Sequence, residues 1–257
     1  MKILGRPSLL IASTLAIVWF LPLIALLARS LDRAGFENYA AVLQGGDILR
    51  NLMNSAIITL ITVFGVVAIS ALAAFAFSIL RFPGRNVIYG ILLTGLMLPA
   101  GAILVPFAQL NQAFAWGNTY AAVIFPYIAL FFPLGLLLLK NAFDGLPHEL
   151  FEAAAIDGGG VWRMFVSIAL PLGGPAVALV ALWTFLSTWN EFLLALLFLH
   201  DPAVKPVSLV PFQFQQQYFV DVPKIFAALV ISQLPVVLLY IFTQRRFNLG
   251  ALAGIGK

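Results

Sequence analysis

The sequence predicts an all-α integral membrane protein with six transmembrane helices. Apolar residues make up 62% of its 257 residues and charged residues only 9%, whereas a soluble domain of this length needs far more charge on its surface. The apolar residues are gathered into long uncharged runs, and a run of about 20 residues is long enough to cross a bilayer as a helix.

Short polar stretches divide the chain into six predicted spans: residues 7–28, 51–80, 87–110, 119–139, 172–199 and 225–243. The charge-free run 86–139 is too long for one crossing, and its polar and aromatic residues at 111–120 suit a membrane interface, so we divide it there. The first run lacks a clear cleavage site, which favours an uncleaved span over a signal peptide. We expect two parts: the first helix with its external loop (1–50), and a core of five helices (51–257).

Six spans place both termini on the same side of the membrane. Basic residues favour the cytoplasmic side, and nine of the fourteen Lys and Arg residues fall on the side of the termini. These nine are Lys2, Arg6, Arg81, Arg85, Lys140, Arg163, Arg245, Arg246 and Lys257. The sequence therefore predicts a multi-pass protein of the cytoplasmic (inner) membrane, with both termini and the central loop, about residues 144–171, in the cytoplasm.

The central loop combines a short helix, a glycine turn and a second short helix. Pro147 suits the first position of a helix, and Glu149 lies in the first turn, where a negative charge meets the positive end of the helix dipole. Glycines 158–160 should end this helix, and a second amphipathic stretch at 161–170 leads to Pro171. Alanines make one face of the first helix narrow, which favours close approach by another protein.

The same loop resembles the cytoplasmic EAA loop of permease subunits in ABC importers. The matching positions are Glu152-Ala153-Ala154, Gly158, Ile168 and Leu170-Pro171, each at the spacing of the motif. Further stretches resemble the carbohydrate-uptake branch of these permeases: residues 51–55, 81–85, 189–192 and 233–257. The resemblance covers about residues 50–257, and Gly160 departs from it because the family more often has a non-glycine residue there.

This resemblance implies the type I ABC importer permease fold, with the central loop as a coupling helix that docks on an ATP-hydrolysing subunit. The residues it assigns to docking are Leu150, Phe151, Glu152, Ala153, Ala154, Asp157 and Gly158. The implied partners are a second permease subunit, two ATP-binding subunits and an extracytoplasmic solute-binding protein. ATP and Mg²⁺ would be bound by the ATPase, and no cofactor by this chain. The implied function is to form half of the translocation path for a sugar or sugar-like solute.

Glu191 is the one carboxylate within a predicted span, and it follows Trp189 and Asn190. An ionised group inside a bilayer costs a few kcal/mol or more, so it should face the protein interior, a partner or water. One hypothesis is that Trp189, Asn190 and Glu191 line the sugar path, because indole stacks on sugar rings while amide and carboxylate groups bind hydroxyls. The alternative is that Glu191 caps or pairs with a neighbouring helix. Asn54 and Ser55 carry the same two interpretations, with capping of the second span's N-terminus favoured.

The sequence contains no motif that indicates catalytic activity. The absence of cysteine excludes thiol chemistry, and neither HExxH nor GxSxG occurs. Gly256-Lys257 fails as the end of a Walker A loop, since Ala251 stands where the first glycine is required, so we expect no ATP site on this chain.

Two other classes of protein stay open. An ion-driven secondary transporter would take up its solute without a partner, and it usually carries several buried carboxylates. A structural membrane subunit would have no path of its own. Among ABC importers, the alternative solutes are a polyol, a glycerol phosphate or an amino acid.

Overall fold

A computed structural model describes residues 6–45, 47–215 and 220–253, with the side chains of 6–13, 16, 100 and 244–253 left out. The described residues are mostly helical, with one isolated antiparallel bridge between Gln215 and Val220. Among the residues singled out above, Lys2 and the last four residues of the tail motif, 254–257, lie outside the described part.

The α-helices are α1 (Arg6–Ser30), α2 (Glu37–Gln44), α3 (Ile48–Ile79), α4 (Arg85–Leu93), α5 (Leu104–Ala113), α6 (Ala121–Asp144), α7 (His148–Ile156), α8 (Val161–Met164), α9 (Leu170–Leu172), α10 (Gly174–Trp189), α11 (Leu193–Phe198), α12 (Val210–Gln213) and α13 (Val222–Ala253). A π-helix, Phe165–Ala169, joins α8 to α9. Short 3₁₀ turns cover Thr94–Met97, Ala100–Ile103 and Val207–Leu209.

Helix length and composition agree with the predicted membrane fold. Three helices are each long and apolar enough to cross a bilayer: α3, α6 and the Val222–Thr243 part of α13. Two bent pairs are long and apolar enough when each is taken as one span: Arg85–Met97 with Gly101–Ala113, and Val161–Leu172 with Gly174–Trp189. Together with α1, the described residues therefore provide six apolar helical segments.

The third span is broken in its middle. Leu98 is extended, with ψ 119°, as a residue before proline prefers to be. Pro99 has no N–H to continue the helix, and the two halves meet at 104°. The predicted span 87–110 is therefore a broken pair rather than one continuous helix.

The fifth span, predicted at 172–199, differs from the structure at both ends. It is already helical from Val161, and it bends by 76° between Leu172 and Gly174. The π-helix just before Pro171 reflects the N–H that proline lacks. Gly173 permits the bend, since a Cβ there would lie 2.4 Å from the ring of Phe143. At the other end α10 stops at Trp189, and α11 follows as a separate short helix.

Contacts divide the chain into two units, one of Met1–Leu52 with Val207–Arg246 and one of Met53–Pro206 with Phe247–Lys257. In the first unit, Asn38 donates hydrogen bonds to the carbonyls of Ser30 and Asp32, each at 3.0 Å, which fixes the turn after α1. In the second unit a hydrophobic core joins α3, α6 and residues 165–180. The predicted division at residue 50 stays a prediction.

Helices α3 and α6 run side by side in the same direction. Ser70 and Ser78 of α3 donate to the carbonyls of Phe132 and Lys140, both at 3.3 Å and both 62 positions further along the chain. A Cβ at Gly135 of α6 would lie 2.6 Å from Ser70 Oγ and 3.3 Å from Val180 Cγ1. Gly135 therefore lets α3, α6 and α10 meet closely.

This contact predicts a loss of stability for Gly135→Val. Overpacking at such a site typically costs about 1–3 kcal/mol, so the variant should melt at a lower temperature and give less monodisperse protein in detergent. Gly90→Val is the matched control, because nothing lies within 4 Å of a Cβ at Gly90 in α4. Equal melting temperatures for the two variants would contradict the close packing at Gly135.

Candidate functional site

The first part of the site is the elbow formed by α7 and the glycines that follow it. Helix α7 begins at His148, one residue later than predicted, with Pro147 extended in front of it at ψ 123° and Glu149 in the first turn. At its end Gly158 has φ +74°, a left-handed conformation that favours glycine. Gly158 N–H donates to Ala155 O (3.1 Å) and Gly159 N–H to Ala154 O (2.8 Å). This pair of bonds is a Schellman motif, so the glycine stop predicted from the sequence is a defined turn.

One aromatic side chain fixes the elbow to the protein core. Phe151 is 5% exposed, and its ring lies 6.3 Å from that of Phe75 in α3. The Phe75 ring also lies 5.3 Å from that of Phe165, at the start of the π-helix. Both α7, through Phe151, and the π-helix, through Phe165, therefore pack against Phe75 of α3. The Phe151 side chain faces the core.

The opposite face of the elbow is open. Of the residues assigned to docking, Leu150, Glu152, Ala153, Asp157 and Gly158 are exposed and Ala154 is half-buried. Two large apolar side chains beside them are also exposed, Ile156 at 87% and Trp162 at 67%. Apolar side chains on this scale of exposure are typical of a surface that binds a partner.

A cleft of about 700 Å³ lies between the elbow and the end of α3. Arg81 and Arg85 line one side, and His148, Phe151 and Glu152 line the other. The Arg85 guanidinium donates to the carbonyl of Leu80 at 3.2 Å, which holds the tight basic turn after α3.

The second part of the site is the break between α10 and α11. Glu191 lies in this break, and its carboxylate accepts three hydrogen bonds. Leu194 N–H donates to Oε1 at 2.9 Å, Ala195 N–H donates to Oε2 at 3.3 Å, and the Tyr127 hydroxyl of α6 donates to Oε2 at 2.5 Å. Among the described residues Glu191 takes part in no ion pair. Its geometry matches the capping interpretation.

The two residues before Glu191 differ in exposure. Trp189 is 5% exposed, and its ring stacks on that of Phe185 with centroids 5.5 Å apart. Asn190 is exposed, and its amide donates to the carbonyl of Leu186 at 2.8 Å. In this conformation the Asn190 side chain is exposed, while the indole face of Trp189 is covered by Phe185.

Asn54 and Ser55 are buried inside α3, not at its start. Because α3 begins at Ile48, the expected capping of its N-terminus is wrong. The Asn54 amide instead donates to the carbonyls of Ala203 and Lys205, each at 2.9 Å, and its oxygen accepts the Tyr120 hydroxyl at 2.6 Å. These bonds attach the loop after α11 to α3.

The same loop is also held near its start. Asn118 Oδ1 accepts the backbone N–H groups of His200 (2.7 Å) and Asp201 (3.0 Å), and Asn118 N–H donates to Phe198 O at 3.3 Å. Residues 198–205 are therefore fixed at both ends by side-chain amides.

Comparison with known proteins decides the family. Residues 65–250 match the family described as "Binding-protein-dependent transport system inner membrane component". This chain belongs to that family. The match confirms the resemblance found in the central loop, and it makes the chain a permease subunit of the inner membrane that works with a binding protein.

Individual relatives agree with this assignment. The permease is 36% identical to the diacetylchitobiose uptake system permease protein NgcG of Streptomyces coelicolor, over 84% of this chain and 72% of that protein. It is 35% identical to the trehalose/maltose transport system permease protein MalG of Thermococcus litoralis, over 88% and 82% of the two chains. These relatives confirm the carbohydrate-uptake branch of the ABC importer permeases.

A solved structure shows the same fold. It is the crystal structure of a bacterial ABC transporter involved in the import of the acidic polysaccharide alginate. The permease matches it with a TM-score of 0.80 at 19% identity, over 96% of this chain and 100% of the solved chain.

Sequence reasoning missed Tyr127 and Tyr120, which lie two helical turns apart on the permease and bond to Glu191 and Asn54. A signal for Tyr127 was present, since a buried tyrosine hydroxyl usually needs a hydrogen-bond partner and Glu191 needed one too. Within the described residues, no group of three or more His, Asp or Glu side chains is placed to hold a metal ion.

The bonds of Asn54 predict that Asn54→Asp loosens the loop at 198–205. Aspartate cannot donate to the carbonyls of Ala203 and Lys205, and unpaired buried groups cost about 1–3 kcal/mol each. Backbone amides of the loop should therefore exchange hydrogen for deuterium faster, as measured by mass spectrometry of the purified permease. Asn86→Asp, at an exposed position in α4, is the control. Unchanged exchange in Asn54→Asp would show that these bonds do not hold the loop.

Proposed function

We propose that this permease forms half of the path by which a sugar enters the cell, driven by ATP that separate subunits hydrolyse. The observation that carries the proposal is the elbow: Phe151 anchors it to the core while Leu150, Glu152 and Asp157 stay exposed. An exposed helix tied to the spans can transmit the movement of a docked subunit to them. The names of the relatives support a sugar as the solute.

The proposed assembly contains a second permease subunit, two ATP-binding subunits and the solute-binding protein. ATP and Mg²⁺ would bind to the ATP-binding subunits, which would meet the elbow in the cytoplasm, on the same side as both termini. The binding protein would meet the opposite face at the loops 29–50 and 200–224. A related alginate importer has been crystallised in complex with a pentasaccharide-bound periplasmic protein, which supports this partner.

The path would be lined by Asn54, Ser55, Trp189, Asn190 and Glu191. Asn190 is exposed, whereas Trp189 is covered by Phe185. Stacking of a sugar on Trp189 would therefore require a conformational change that separates these two rings. Such a change between outward- and inward-facing arrangements is part of the proposed mechanism.

The elbow predicts that Gly158→Val detaches the ATP-binding subunits. A left-handed backbone costs a non-glycine residue about 1–2 kcal/mol, so the turn after α7 should change and the docking face with it. Insertion into the membrane should be unaffected, because the six spans do not depend on this turn. The measurement is the amount of ATPase that co-purifies with the permease.

Two matched variants make this test specific. Gly160→Val should dock normally, because Gly160 has φ −70° and a Cβ there would meet nothing within 4 Å. Gly158→Asn should restore part of the docking, since asparagine tolerates the left-handed conformation. Full co-purification of the ATPase with Gly158→Val would count against docking at the elbow.

The proposed function also predicts sugar-dependent ATP hydrolysis. The complete complex, reconstituted with its binding protein, should hydrolyse ATP faster when the cognate sugar is added, with trehalose, maltose and diacetylchitobiose as the first candidates. A non-hydrolysable ATP analogue should stop uptake. Uptake by this chain alone, driven by an ion gradient, would instead establish a secondary transporter.

A further inference from the structure

Helix α6 connects the two parts of the site. Its last residue, Asp144, is followed after three residues by α7, the helix of the elbow. Near its other end, Tyr127 bonds to Glu191 in the break between α10 and α11. Tyr127 and Asp144 are 17 positions apart in one helix, a length of roughly 25 Å. One continuous helix thus runs from the docking surface to the break in span five.

Helix α6 also contacts α10 between these two points. The rings of Phe131 and Trp183 meet edge to face at 5.3 Å, and Gly135 approaches Val180 closely enough that a Cβ would lie 3.3 Å from it. These contacts are apolar. The Tyr127–Glu191 bond differs from them, because it is directional and involves a charged acceptor.

The position of Glu191 requires a hydrogen-bond acceptor with two oxygens, and a carboxylate provides both. Its three partners, two backbone N–H groups and one hydroxyl, are all donating, and the two carboxylate oxygens accept from all of them. Glutamine would offer one oxygen and an NH₂ group, which cannot accept. It would lose the bond to Leu194 or the bond to Ala195, whereas the Tyr127 hydroxyl can accept from the NH₂ group and so keep its contact.

Tyr127 is suited to a single role in this arrangement. It is 2% exposed, and its ring stacks on that of Phe131 with centroids 6.0 Å apart. The ring is held by packing, and the hydroxyl adds a directional hydrogen bond to the packing of α6 against α11. Removal of the hydroxyl would leave the packing of the ring unchanged.

We propose that Tyr127 is a positioning residue for transport: its hydroxyl holds Glu191 so that α11 follows the movement of α6 and the elbow. This inference rests on the proposed function, in which a docked ATPase moves the elbow. Through Tyr127 the outer end of span five, with α11 and the fixed loop at 198–205, is then carried along with α6. Without this bond, α6 moves and α11 lags behind.

The test is Tyr127→Phe in the complete transport complex. The maximal rate of sugar uptake should fall about tenfold, the factor that corresponds to one hydrogen bond to a charged group. The sugar concentration for half-maximal uptake should change less than the maximal rate, because Glu191 keeps its bonds to Leu194 and Ala195 and loses only its bond to α6. Co-purification of the ATPase should be normal, so each sugar imported should consume more ATP.

Hydrogen–deuterium exchange tests the contact without transport. In Tyr127→Phe the amides of residues 193–198 should exchange faster than in the wild-type complex, since Glu191 is held less firmly over α11. Tyr89→Phe is the matched control: Tyr89 packs against Phe77, it lies outside the break, and its loss of a hydroxyl should change neither measurement. If the wild-type complex imports no sugar, the proposed function fails while the exchange result still decides whether Tyr127 holds the break.

Three outcomes would overturn the inference. The first is wild-type uptake and wild-type exchange in Tyr127→Phe. The second is a raised half-maximal sugar concentration at an unchanged maximal rate, which would place Tyr127 and Glu191 in solute binding rather than in the movement of α11. The third uses Glu191→Ala, which removes the acceptor and tests the same link if Tyr127→Phe assembles poorly. Combining Glu191→Ala with Tyr127→Phe should impair uptake no more than Glu191→Ala alone, and a further fall would show that Tyr127 acts independently of Glu191.

Discussion

A helix that breaks inside an apolar membrane must find partners for its freed backbone groups within the protein. This constraint explains the break at residues 190–192, where Glu191 accepts the N–H groups of Leu194 and Ala195 and is itself held by Tyr127. It explains the bend at Gly173 as well, where the backbone N–H donates to Ala169 O at 2.8 Å while the ring of Phe143 covers the glycine. The placement of α11 and of the elbow follows from how these two interruptions are satisfied.

The sequence alone predicts the features that depend on neighbouring residues. Uncharged runs predict the membrane spans because a bilayer of fixed thickness requires them. The end of α7 is predicted equally well, since the left-handed position in its last turn requires a residue such as Gly158, and that turn is closed by bonds to Ala154 and Ala155 a few positions away. The motif in the central loop then points to the family that the comparison confirms.

Features that depend on distant partners were not predicted. Asn54 was interpreted as a helix cap, but its partners Ala203 and Lys205 lie 149 and 151 positions away. Glu191 and Tyr127 are 64 positions apart, and nothing local to either residue specifies the pair. Phe151 illustrates the same point, because the motif indicates a docking helix while its ring packs inward on Phe75. The side of a short helix that faces the core depends on which core side chains can pack against it, and those residues are distant in sequence.

The end of α7 and the start of α11 are stabilised in different ways, because their surroundings differ. The turn at Gly158 lies in an exposed loop, where backbone bonds and water suffice, so the side chains of Glu152 and Asp157 stay available to a partner. The start of α11 lies in an apolar run, and there a carboxylate accepts its N–H groups and a hydroxyl holds that carboxylate. The first end therefore leaves an exposed helix face on the surface. The second is bonded to another helix through Glu191 and Tyr127.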